Sequence, residues 1–249
     1  MKLKELINER WEDSAEGYGK SVRRELQEEM EIWKQYIFDH IDIKKDARIL
    51  DIGCGPGFLT ILFSKYGYEA TGVDGASNMI HQARKNAVEN DCYPDFEIMD
   101  CHHLDFQNDT FDLVISRNVV WTLYDPAAAY KEWKRVLKPG GSIVVFDASW
   151  NREYHDERTM NRKIELRKQL KTEPVKPEYF CNPDLGKELD QKSVLGFYDR
   201  PQWDLAVFRE LGMNTDLDED AWQTLWSEET KIKSGATPMF MIKAQKQTN

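Results

Sequence analysis

The sequence predicts an α/β protein built on a doubly wound, mostly parallel sheet. Three observations carry that prediction: short apolar runs alternate with amphipathic segments of helix length, a glycine-rich turn follows the first run, and the hydrophobic period shortens near residue 48.

The first forty-five residues read as a helical lid, because Val22, Leu26, Met30, Trp33, Ile37 and Ile41 recur every three or four positions and predict one helix over 21–41. "RILDI" (48–52) is then a strand, "FLTILFSKYG" a helix stopped by Gly67, and "YEATGVD" (68–74) a second strand, which together make a βαβ unit. Such crossovers are right-handed and place their strands parallel. The alternation continues with a helix over 77–90 and strands at 96–100 and 111–116. Asp125 and Pro126 supply the cap and first position of a helix with Tyr130, Trp133 and Leu137 inward. "KPGG" breaks that helix, and "SIVVFD" (142–147) is apolar enough to be buried on both faces.

Residues 148–200 interrupt the rhythm. They are highly charged but carry Trp150, Tyr154, Tyr179, Phe180 and Phe197, and are too long for a simple connection, so they are expected to form a helical insertion capping the ligand crevice. The core resumes over 201–249, with a helix at 201–212 and a last strand at 238–244; with residues 46–147 this makes the α/β core.

Composition narrows the function. Among 249 residues, 44 acidic against 34 basic side chains give a net charge of -10, which argues against nucleic-acid or anionic membrane partners. No apolar run reaches the length of a signal peptide core or a membrane span, and Cys54, Cys92, Cys101 and Cys181 show neither a disulfide framework nor metal spacing with the five histidines. A reduced cytoplasmic protein without a metal site is expected.

"DIGCGPG" (51–57) places Gly53, Gly55 and Gly57 between a strand and a helix, where free backbone N–H groups and the helix N-terminus can meet a ligand. Asp74 ends the next strand, where a carboxylate can accept from two ribose hydroxyls. A dinucleotide turn needs a third glycine at position 58, which is Phe58, and Pro56 removes an N–H; both features disfavour a nicotinamide or flavin.

"ILDIGCGPGFLTI", "GVDGASNMI", "MDCHHLDFQNDTFDLVISR" and "EWKRVLKPGG" together resemble the class I S-adenosylmethionine-dependent methyltransferases of the small-molecule type. The resemblance covers about residues 45–147 and implies a seven-stranded Rossmann-like sheet, S-adenosyl-L-methionine as cofactor and S-adenosyl-L-homocysteine as product. It implies that Gly53, Cys54 and Gly55 cradle the methionine part, with Asp51 near its amino group. Asp74 and Gly75 would meet the ribose region, Met79 the adenine face, and Asp100 with the Cys101 backbone the adenine edge. Arg117 and Asn118 would face the methionine end and the methyl group, and Tyr18 would fold over the cofactor.

The chain departs from many relatives in having "NVVWTL" after the fourth strand, so Trp121, with Trp150 and Tyr154, is expected to line an apolar or aromatic acceptor pocket. His102 and His103 read as surface loop residues, and His155 is the remaining candidate base. The expected reaction is in-line methyl transfer to O, N or S of a small molecule; a non-catalytic cofactor-binding protein and an NAD(P)-dependent reductase are the alternatives.

Overall fold

The computed structural model describes residues 2–170 and 182–248, so Tyr179, Phe180 and Cys181 lie outside the described residues. Two helices lead, α1 (Leu3–Glu28) and α2 (Met30–His40). The chain then alternates β1 (Arg48–Ile52), α3 (Phe58–Lys65), β2 (Glu69–Asp74), α4 (Ser77–Glu89), β3 (Asp95–Ile98), β4 (Phe111–Arg117), α5 (Pro126–Val136) and β5 (Leu137–Asp147). An insertion carries α6 (Glu157–Arg167) and α7 (Pro183–Lys192). After it come α8 (Gln202–Glu210), β6 (Met213–Asp218), α9 (Ala221–Leu225), α10 (Glu228–Ser234) and β7 (Phe240–Lys246).

The strands form one seven-stranded sheet in the order β3-β2-β1-β4-β5-β7-β6. β1 to β5 run parallel, and β7 is antiparallel to both β5 and β6. The doubly wound, mostly parallel prediction therefore holds. From β1 the chain moves outward through β2 and β3, then returns to place β4 on the other side of β1, so the connections diverge there and leave a crevice beyond the strand ends.

Burial explains the apolar runs. Ile143, Val144, Val145 and Phe146 of β5 have no exposed surface because helices cover both faces. α3 is buried from Phe58 to Phe63 on all sides: its outer face meets α2, where Trp33 stands edge-on to Phe58 at 5.8 Å and Phe38 packs on Phe63 at 6.5 Å.

The helix predicted over 21–41 is instead broken at Glu29 (φ -118°, ψ -10°), and α1 reaches back to Leu3. The apolar period runs straight through Met30 and so hides the break. α1 lies close against α4, and at Gly19 a Cβ would come 2.6 Å from the Gln82 side chain, so glycine permits the approach. β6 was not anticipated. It is an edge strand in which only Met213 is buried, and "MNTDLD" offers no apolar run to detect.

The insertion leaves the sheet at Asp147 and returns at Arg200, and these two residues are joined. Arg200 Nη1 lies 3.0 Å from Asp147, while its Nε and Nη2 bind both oxygens of Asp204 on α8 at 2.9 and 2.8 Å. Tyr130 donates to Asp204 at 2.6 Å, and the whole group is buried. α7 packs on α1. Among the described residues no helix is long and apolar enough to cross a membrane.

Candidate active site

A cavity of about 270 Å³ opens beyond the carboxyl ends of β1, β2 and β4, under α1. β1 contributes Asp51, and the turn after it Gly53, Cys54 and Gly55. The end of β2 contributes Asp74 and Gly75, and α4 contributes Met79. Asp100 and Cys101 follow β3, Arg117 and Asn118 end β4, and Tyr18 descends from α1. Every residue expected at a cofactor thus borders one space.

The glycine turn is bonded differently from the expectation. The N–H groups of Cys54, Gly55 and Gly57 donate to Val73 O, Asp74 Oδ2 and Cys54 O at 3.0, 2.9 and 2.9 Å. Asp51 caps α3 from the preceding strand, accepting the Thr60 N–H at 3.0 Å and its hydroxyl at 2.7 Å. These three amides and the Thr60 N–H in the first turn of α3 are engaged, so the turn offers an anion less than the sequence implied. Positive φ at Gly53 (63°) and Gly55 (51°) produces the tight path, and a Cβ on Gly55 would meet only the Tyr18 ring, at 3.5 Å.

Asp74 is held by its own turn, its second oxygen accepting the Ala76 N–H at 2.9 Å. Burial pushes both Asp51 and Asp74 up to about 6, against the hydrogen bonds that favour their ionised forms. The two basic side chains on the wall are already partnered. Arg117 donates to Glu25 of α1 at 2.7 Å and lies over the rings of Phe58 and Trp33 at 4.3 and 5.0 Å. Lys4 binds Asp100 at 2.6 Å. With amides engaged and carboxylates facing it, this wall suits a ligand that carries positive charge.

Asp100 collects four donors: Lys4, the Tyr124 hydroxyl at 2.8 Å, and the His102 backbone and ring at 3.0 and 2.7 Å. Burial raises its pKa, but these donors outweigh it and hold the carboxyl below its ordinary range. His102 is therefore not a surface residue. It is buried, stacked on Tyr124 at 3.7 Å, because Asp100 and Tyr124 pull its ring inward. Asp100, Cys101 and His102 each bring a possible ligand atom within 4.8 Å of the others. Asp100 and His102 already bind each other, and burial pushes the Cys101 thiol far up, which keeps it protonated.

The expected acceptor residues stand off the cavity wall. Trp121 donates its indole N–H to the Asn118 carbonyl at 2.9 Å and meets Trp11 edge-on at 6.1 Å. Trp150 donates to Asn118 Oδ1 at 3.2 Å and packs on Trp226 at 5.8 Å. Tyr154 is partly exposed on the insertion beside Asp190, which burial raises to about 6. His155 packs on Phe197 at 3.9 Å, its buried Nε2 without a hydrogen-bond partner among the described residues, away from the cavity lining.

Sequence reasoning missed the roof. Lys4, Ile7, Asn8 and Trp11 line the cavity from α1. Their spacing of three, one and three marks one helical face, but its mixed polarity hides it from an apolar pattern search. Val119, Thr122, Leu123 and Tyr124 complete the lining after β4.

Residues 50–145 match a family model described as a methyltransferase domain. Phosphoethanolamine N-methyltransferase 3 of Arabidopsis thaliana is 30% identical over 119 residues, covering 47% of this chain and 24% of that protein. Ubiquinone biosynthesis O-methyltransferase of Xanthomonas oryzae pv. oryzae is 30% identical over 111 residues, covering 43% of this chain and 46% of that protein. The chain thus spans less than half the length of these curated relatives. Among solved structures, the YcgJ protein of Bacillus subtilis superposes with a TM-score of 0.59 at 18% identity, covering 86% of this chain and 98% of that one. Phosphoethanolamine N-methyltransferase 2 of Haemonchus contortus, in complex with S-adenosyl-L-methionine, gives 0.58 at 16% identity, covering 87% of this chain and 53% of that one. At these identities the structures share the fold.

Proposed function

We propose that this chain, a class I S-adenosylmethionine-dependent methyltransferase by its domain at residues 50–145, transfers a methyl group in line from S-adenosyl-L-methionine to a small-molecule acceptor. The observation that carries the reading is the cavity wall: Asp51 and Asp74 face a space where the Cys54, Gly55 and Gly57 amides are engaged, which favours a cationic nucleoside over a pyrophosphate.

S-adenosylmethionine supplies a methyl group on a sulfonium, which leaves with the sulfur's bonding pair as the acceptor's lone pair forms the new bond. On this reading Asp51 would hold the ammonium, Asp74 the ribose hydroxyls, and Met79 a face of the adenine; that all three border one cavity supports it. Asp100 is filled by four donors, so the adenine edge would depend more on the backbone beside Cys101. Tyr18 and the α1 roof exclude water and fix the approach of acceptor to methyl, and positioning alone supplies much of the rate in such a displacement. No step requires His155.

A small acceptor is supported by the modest cavity of about 270 Å³ and by the N- and O-methyltransferase names of the relatives. The net charge of -10 supports a partner other than nucleic acid, and free thiols at Cys54, Cys92 and Cys101 support a reducing, cytoplasmic setting.

The test is calorimetry with S-adenosylhomocysteine and NADH in parallel, followed by transfer of labelled methyl across amines, hydroxyls and thiols. Uptake of S-adenosylhomocysteine with methyl transfer supports the reading; uptake of NADH alone, or binding with no transfer to any acceptor class, overturns it.

A further inference from the structure

Asn118 occupies the left-handed region at φ 60°, uncommon for a residue with a side chain, and three contacts hold it there. Its N–H donates to Phe146 O at 2.8 Å, its carbonyl accepts from Trp121 Nε1 at 2.9 Å, and its side-chain Oδ1 accepts from Trp150 Nε1 at 3.2 Å. An indole N–H can only donate, so the Trp150 contact fixes which end of the amide is oxygen. The amide's NH₂ group remains, on a residue that borders the cavity. Trp150 belongs to the insertion and is itself backed by Trp226, which packs on Trp222 at 6.1 Å, both from the segment around α9.

We infer that Trp150 is a positioning residue: by holding Oδ1 it turns the Asn118 NH₂ toward an oxygen at the amino-acid end of the bound cofactor, and so ties the insertion to cofactor recognition. The inference rests on the methyltransferase reading above. An NH₂ group calls for an acceptor, and at the amino-acid end of the cofactor the ammonium can only donate, which leaves the carboxylate oxygens. Arg117, the neighbouring cation, is already paired with Glu25, which leaves the amide as a donor of its own.

The test compares S-adenosylhomocysteine with 5′-methylthioadenosine, which shares the adenine, ribose and sulfur but lacks the amino-acid group, by calorimetry on the full chain. Trp150→Phe keeps a ring against Trp226 and removes the N–H; Asn118→Ala removes the amide. Each variant is expected to bind S-adenosylhomocysteine at least about tenfold more weakly, the loss of a hydrogen bond to a charged group, while methylthioadenosine changes less than about twofold. A purely structural role would weaken both ligands alike. Equal losses for both, or unchanged S-adenosylhomocysteine affinity in Trp150→Phe, overturns the inference and leaves the methyltransferase reading standing. A wild-type protein that takes up neither ligand overturns both.

Discussion

Glu12 of α1 caps a helix to which it does not belong: its carboxylate accepts the Ser77 N–H at 2.7 Å and the Asn78 N–H at 2.9 Å at the start of α4. The α4 cap position is Ala76, which has no side-chain acceptor, so the roof helix supplies what the local sequence lacks. The roof helix and the α4 N-terminus are therefore tied together by one carboxylate.

Glu12→Ala should cost about 1 kcal/mol of stability, the scale of a lost N-cap. It should also speed release of S-adenosylhomocysteine more than it slows binding, because α1 loses its hold on α4. Stopped-flow release rates and thermal unfolding check this; an unchanged release rate would separate the cap from the roof.

Affinity for the cofactor should fall as pH drops through about 6. Asp51 and Asp74, raised by burial to about 6, are ionised above that value and attract a cation, and they lose that attraction on protonation. Each pH unit below the pKa should weaken binding by about tenfold per essential carboxylate. The fold responds with the opposite sign. A carboxyl raised from 3.8 binds its proton more tightly folded than unfolded, so these groups favour the fold increasingly from about pH 6 down to 3.8. Calorimetry between pH 8 and 5, with Asp74→Asn expected to flatten the profile, distinguishes the two effects.

Gly55→Ala should fold, because the added methyl meets nothing nearer than the Tyr18 ring at 3.5 Å, at a cost of about 1–2 kcal/mol for a left-handed alanine. Its methyl would stand between the turn and Tyr18, so uptake of S-adenosylhomocysteine should be lost. Retained affinity in a folded variant would remove the turn from the binding surface.

Arg200→Met should destabilise by about 3–5 kcal/mol, since it strands Asp147 and Asp204 as buried charges. Urea unfolding measures it, and a loss below 1 kcal/mol would mean that the carboxylates find other partners or protons.

The fold was legible where burial imposes a pattern. β1, β4 and the second half of β5 are apolar runs because both faces are covered, and Asp125 and Pro126 announce α5 chemically. β6 was not, because an edge strand with one buried residue carries no such signature. At the site, Asp74 was readable from its place at the end of the second strand, whereas Asp51 and Arg117 were singled out only through the family resemblance of the segments that hold them. The roof was not, since Lys4 and Trp11 reach the cavity through the packing of α1 on α4, which no local spacing encodes. His102 was misread for a similar reason: its burial depends on Tyr124, twenty-two positions away.

The Asp147–Arg200 clamp joins the two ends of the insertion at a single buried point, so the sheet experiences that whole excursion as a short stitch. Lengthening a loop between fixed ends adds only about 0.6 kcal/mol per doubling. Inside the stitch Trp150 holds Asn118 and α7 packs on α1, so a replacement that keeps those contacts and the clamp can differ in length or shape while the strands stay in register.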